Sequence, residues 1–65
     1  MNDDLKKGLK MIVKSIMNID KAQWMFTTGS ETFKRSQFAR NQLLGVLQHE
    51  GYTIDLNYNL VKYIN

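Results

Sequence analysis

No cysteine occurs in this chain of 65 residues, and its one histidine is His49. A domain this small buries only about 60% of the surface its unfolded chain exposes, so its core is thin. Chains of this size often recruit a disulfide, a structural metal or a partner subunit. Disulfides are excluded here. One histidine without cysteine is also far from the ligand sets that build structural zinc sites, so no metal and no cofactor are expected. Good packing or self-association remains. The material for packing is present in Trp24, Phe26, Phe33, Phe38, three tyrosines and many Leu, Ile and Val. Such a composition is globular rather than disordered, and a single domain over residues 1–65 is expected.

Residues 3–18 read as an amphipathic helix. Leu5, Leu9, Ile12, Val13 and Ile16 recur at spacings of three and four and share one face. Lys7, Lys10 and Lys14 gather on the opposite face. Asn2 or Asp3 serves as cap, and Asp3 and Asp4 complement the positive end of the helix dipole. Residues 36–50 read as a second helix, capped by Ser36, with Ala39, Leu43, Leu44, Val46 and Leu47 on its apolar stripe and Gly51 as the stop. Arg40 falls on the Leu44–Leu47 side. Gln37, Asn41 and Gln48 face away.

Between the helices, residues 23–28 are rich in aromatic and β-branched side chains and are read as a strand. A short helix over residues 21–25, capped by Asp20, is the alternative. Gly29 and Ser30 punctuate the chain. Residues 31–34 then pair back as a second strand or run as a loop. Residues 52–64 read as a β-hairpin: Tyr52, Ile54 and Leu56 alternate with polar residues, and Leu60, Val61, Tyr63 and Ile64 resume after a turn at residues 57–59. The fold class is therefore α+β, with an αββαββ small domain as one arrangement of these elements.

The other arrangement, to which the αββαββ domain is the alternative, rests on residues 36–64. The run from Ser36 through Gln42, Leu43, Leu44 and Gly45 to Gly51, followed by strand, turn and strand, resembles the recognition helix and wing of winged-helix DNA-binding domains. That resemblance implies DNA recognition by the start of the second helix, here Ser36, Gln37, Arg40 and Asn41, with Lys34 and Arg35 just before them. Arg pairs with guanine and Asn or Gln with adenine. Lys62 and the turn asparagines would meet phosphates. A domain of this size would be expected to act as a homodimer, because specific affinity comes from two half-sites or a large interface.

The net charge of +3 favours polyanionic partners without identifying one. The Lys7, Lys10, Lys14 face is read as a solvated face ahead of a phosphate-tracking stripe. Trp24, Met25 and Phe26 are read as core. As an exposed patch, joined by Tyr58 and Tyr63, they would instead anchor a protein partner. No catalytic arrangement is present: His49 has no facing carboxylate, and Ser30 and Ser36 carry no signature of an activated nucleophile. The chain is thus read as a binding protein and not an enzyme, a DNA-binding regulator first and a protein-interaction module second. The acidic, polar start and the short apolar runs point to a cytoplasmic location without membrane contact.

Overall fold

The computed structural model describes residues 3–63, so the cap at Asn2 and the hairpin residue Ile64 lie outside the described residues. Two long helices are followed by one small hairpin: α1 (Asp3–Gln23), α2 (Glu31–His49), β1 (Tyr52–Ile54) and β2 (Leu60–Lys62). The α+β layout is thus present. α1 and α2 pack against each other, β1 lies against α2, and β2 lies against α1. The core sits between these layers. Leu9, Val13 and Ile16 of α1 and Leu47 of α2 are buried, and Ile12, Leu43, Leu44, Tyr52, Ile54 and Leu60 pack around them. Leu5, Ala39 and Val46, expected on the apolar stripes, are exposed, because they lie beyond or outside this contact zone.

α1 runs through Gln23 instead of stopping near Asn18. Tertiary bonds from Asp20 and Gln23 reward the extra turns. The strand expected over residues 23–28 is not formed. The amides of Trp24, Met25 and Phe26 donate to the carbonyls of Lys21, Ala22 and Gln23 at 2.9–3.2 Å, which tightens the helix end. Local β-propensity loses here because the strands among the described residues pair with each other and leave none beside this segment.

The chain then turns over residues 27–30. Ser30 N donates to the Thr27 carbonyl at 3.0 Å, and Gly29 takes φ +85°. Positive φ at that third position is what a type II turn requires, and glycine adopts it without steric cost. α2 is capped by Ser30, six residues before the expected cap at Ser36. The Ser30 hydroxyl accepts from Phe33 N at 3.1 Å, satisfying one of the donors a helix start leaves unpaired. Glu31 adds a favourable charge in the first turn. At the other end Gly51 has φ +87°, and its amide reaches the Gln48 carbonyl at 3.0 Å. It is the left-handed stop that the sequence predicts.

The hairpin pairs Tyr52 with Lys62, Thr53 with Val61 and Ile54 with Leu60. Its connection covers residues 55–59. Asp55 organises it: one carboxylate oxygen accepts from both Asn57 N and Asn59 N at 2.9 Å. The hydrogen bond from Asn59 leads in holding this carboxyl below its ordinary value. Tyr58, and neither turn asparagine, takes the left-handed conformation, with φ +61°. A non-glycine residue is strained there by about 1 kcal/mol. No helix among the described residues is long and apolar enough to cross a membrane.

Candidate binding surface

The basic and polar side chains at the start of α2 are divided among three directions. Ser36 and Arg40 face inward. Ser36 Oγ donates to the Phe33 carbonyl at 2.6 Å and accepts from Gln23 Nε2 at 3.0 Å. Arg40 Nε donates to Asp20 Oδ1 at 2.6 Å, and the Tyr58 hydroxyl donates to Asp20 Oδ2 at 2.7 Å. One carboxylate of α1 therefore ties α2 and the hairpin turn together, and both of its oxygens are used.

Burial alone would raise the Asp20 carboxyl. The hydrogen bonds from Arg40 and Tyr58, together with the Arg40 charge, outweigh burial and hold it below its ordinary 3.8. The same bond to Asp20, assisted by burial and the carboxylate charge, pushes the Tyr58 hydroxyl above its ordinary 10.0. Both oxygens and the Arg40 Nε–H have partners within the fold, so this cluster acts as a structural tie.

Lys34, Gln37 and Asn41 are exposed and follow one another at helical spacing along one side of α2. Arg35 points outward and pairs with Glu31, one turn earlier, at 3.1 Å, with both side chains largely in water. Such a pair contributes little stability. Lys62 is exposed on β2. Lys10 and Lys14 border the hairpin turn beside Asn57 and Asn59, whereas Lys34 and Arg35 border Phe38 on α2. The two basic clusters therefore line different hollows.

The aromatic candidates also separate. Phe26 is half-buried, and Tyr58 is turned inward to Asp20. Tyr63 is exposed, and its amide extends the hairpin by donating to the Gly51 carbonyl at 2.9 Å. Trp24 and Met25, expected in the core, are instead 89% and 86% exposed, because they follow the last residue of α1 and lie beyond the packed helix faces. A cleft of about 390 Å³ opens next to them, lined by Asp20, Gln23, Trp24, Thr28, Phe33 and Tyr58.

Phe38, expected among the packing residues, and Leu56, expected in the first strand of the hairpin, are exposed, and so is Met11, which carried no expectation. Phe38 had a readable signal. It falls opposite Leu43, Leu44 and Leu47 on the helical repeat and so could not share their core. Asp20 was also legible, because it continues the Leu9, Val13, Ile16 spacing and is thereby forced toward the interior. No family model, curated protein or solved structure matches the chain significantly.

Proposed function

We propose that this chain is a small protein-interaction module that docks on a larger protein and adapts or inhibits it. The loop between the helices is its anchor, and no catalytic step is assigned to it. The observation that carries the reading is the side-by-side exposure of Trp24 and Met25. Tryptophan is among the residues most enriched in binding hot spots, and methionine fits irregular partner surfaces. The adjoining cleft, with Phe33 on its wall, gives a partner side chain a place to enter. A cytoplasmic setting belongs to the same proposal.

The test is direct. A photo-crosslinking amino acid at position 24 is expected to capture one defined protein in the cells the chain comes from. Trp24→Ser is expected to lose that protein on co-purification while keeping its helical content. If Trp24→Ser retains the partner at wild-type yield, the reading fails.

DNA binding of the winged-helix type is the second reading. It is favoured by the exposed ridge of Lys34, Gln37 and Asn41 on α2, with Lys62 exposed on the hairpin. It stands second because Ser36 and Arg40 are engaged inside the fold. The connection over residues 24–30 is also longer than the short turn of a helix-turn-helix. A titration against duplex DNA separates the readings. DNA binding requires affinity that falls steeply with salt and drops in Lys34→Ala plus Arg35→Ala.

A further inference from the structure

Three lysines of α1 share one flank of the helix. Lys10, Lys14 and Lys21 are exposed and spaced four and seven residues apart, so they point the same way along about 16 Å of helix. No acidic residue stands three or four positions from any of them. The ion pairs among the described residues involve none of them. Lys21 suits the negative end of the helix. Lys10 and Lys14 have no such compensation. In mid-helix they repel each other at i,i+4, and Lys6 and Lys7 on the preceding turn add to that repulsion.

The packing of the hairpin on α1 sets a hollow beside this row. It measures about 320 Å³, and Lys10 and Lys14 border it from the helix while Asn57 and Asn59 border it from the turn. The rest of its lining is apolar: Val13 is buried, and Met17, Tyr58 and Leu60 are half-buried. The Tyr58 hydroxyl is turned to Asp20, so what it offers the hollow is its ring. Asn57 engages Asp55 through its backbone amide alone, which leaves its side-chain amide with no hydrogen bond among the described residues. That of Asn59 reaches Asp55 at 3.3 Å. No carboxylate lines the hollow. Asp20 is held by Arg40 and Tyr58, and Asp55 lines a different hollow with Arg40 and Leu44.

We propose that this flank binds a single strand of nucleic acid, with backbone phosphates along Lys10, Lys14 and Lys21 and one unpaired base in the hollow beside the Tyr58 ring. Three features select that occupant. The row is longer than one phosphate group, which calls for a chain of anions instead of an isolated one. The hollow presents a ring and apolar side chains to the flat of a base, and carboxamides that donate and accept to its edge. A duplex keeps its bases paired and stacked, so only an unpaired strand uses the row and the hollow together. An acidic peptide would use the lysines and leave the ring and the carboxamides idle.

Fluorescence anisotropy with a labelled oligothymidylate of about 12 nucleotides, long enough to cover the row, tests the proposal on the full chain. The wild type is expected to bind. Three lysine–phosphate contacts give a slope of about −2 in log affinity against log salt, so affinity falls about a hundredfold between about 20 and about 200 mM. Lys10→Gln plus Lys14→Gln is expected to bind about a hundredfold more weakly at the lower salt, with a slope of about −0.7. Both side chains are exposed and their removal relieves repulsion, so helical circular dichroism and the thermal midpoint are not lowered. Asn57→Ala is expected to weaken binding about threefold without changing the slope, since it removes a base contact and no phosphate contact. Unlabelled duplex is expected to compete about tenfold less well than the unlabelled single strand. Lys34→Gln plus Arg35→Gln on α2 is expected to bind like the wild type, as is Trp24→Ser. These variants keep the outcome separate from the duplex reading and from the partner-docking loop. A wild type that does not bind at the lower salt overturns the proposal. So does a Lys10→Gln plus Lys14→Gln chain that binds like the wild type, or a duplex that competes equally.

Discussion

Asp20 is a charged residue in a position its helix reserves for a core side chain. It continues the spacing of Leu9, Val13 and Ile16, and is stable there because Arg40 and Tyr58 satisfy both of its oxygens. Removing the Tyr58 hydroxyl in Tyr58→Phe deletes one hydrogen bond to a charged acceptor and is expected to cost about 1.5 kcal/mol in urea unfolding. Asp20→Asn leaves Arg40 without its anion. It is expected to cost about 2 kcal/mol, between the values for exposed and buried pairs. The pH dependence follows from the directions of the shifts. Asp20 is lowered in the folded state, so its contribution is in place above 3.8 and is lost as pH falls through the folded value. Tyr58 is raised, so its contribution is in place below 10.0 and is lost as pH climbs past the folded value. Urea midpoints across the acid range should therefore fall less steeply for Asp20→Asn than for the wild type. An equal slope would contradict this account.

At the scale of elements, both helices, the glycine stop at Gly51 and the hairpin pairing were legible, because each has a periodic or positional signal in its own residues. The segment between the helices was not. Trp24, Phe26, Thr27 and Thr28 carry strand propensity, and nothing local says that strand partners are lacking. Two serines also qualified as the cap of α2. Ser30 takes the role because Gly29 can adopt the left-handed turn immediately before it. Ser30→Ala is accordingly expected to lose about 1 kcal/mol and to fray the first turn. Ser36→Ala should leave helical content unchanged and lose only its bonds with Gln23 and the Phe33 carbonyl. Circular dichroism with chemical unfolding distinguishes these outcomes. The directions of the candidate side chains on α2 were legible in their spacing, Gln37 and Asn41 pointing outward and Arg40 on the Leu44–Leu47 side, but the carboxylate that holds Arg40 there lies 20 residues earlier and had no local signal.

As a whole the molecule is long and thin, 42 × 22 × 17 Å, with a radius of gyration of 12.7 Å. A compact chain of this length would have about 11 Å. Two helices side by side under one short hairpin leave few positions enclosed on all sides, which is why only Leu9, Val13, Ile16 and Leu47 among the described residues are buried hydrophobics.

The Asp20 tie also sets an order of events. Its donors lie 20 and 38 residues along the chain, so the carboxylate meets Arg40 after a shorter loop closes and meets Tyr58 only after a longer one. The two helices are thus the natural early structure, and the hairpin is latched onto them last. In stopped-flow experiments Tyr58→Phe should speed unfolding and leave the refolding rate nearly unchanged, whereas removing Leu47 from the helix contact should slow refolding. Tyr58 in its strained turn would then govern how long the folded chain survives, and the pairing of the helices how soon it forms.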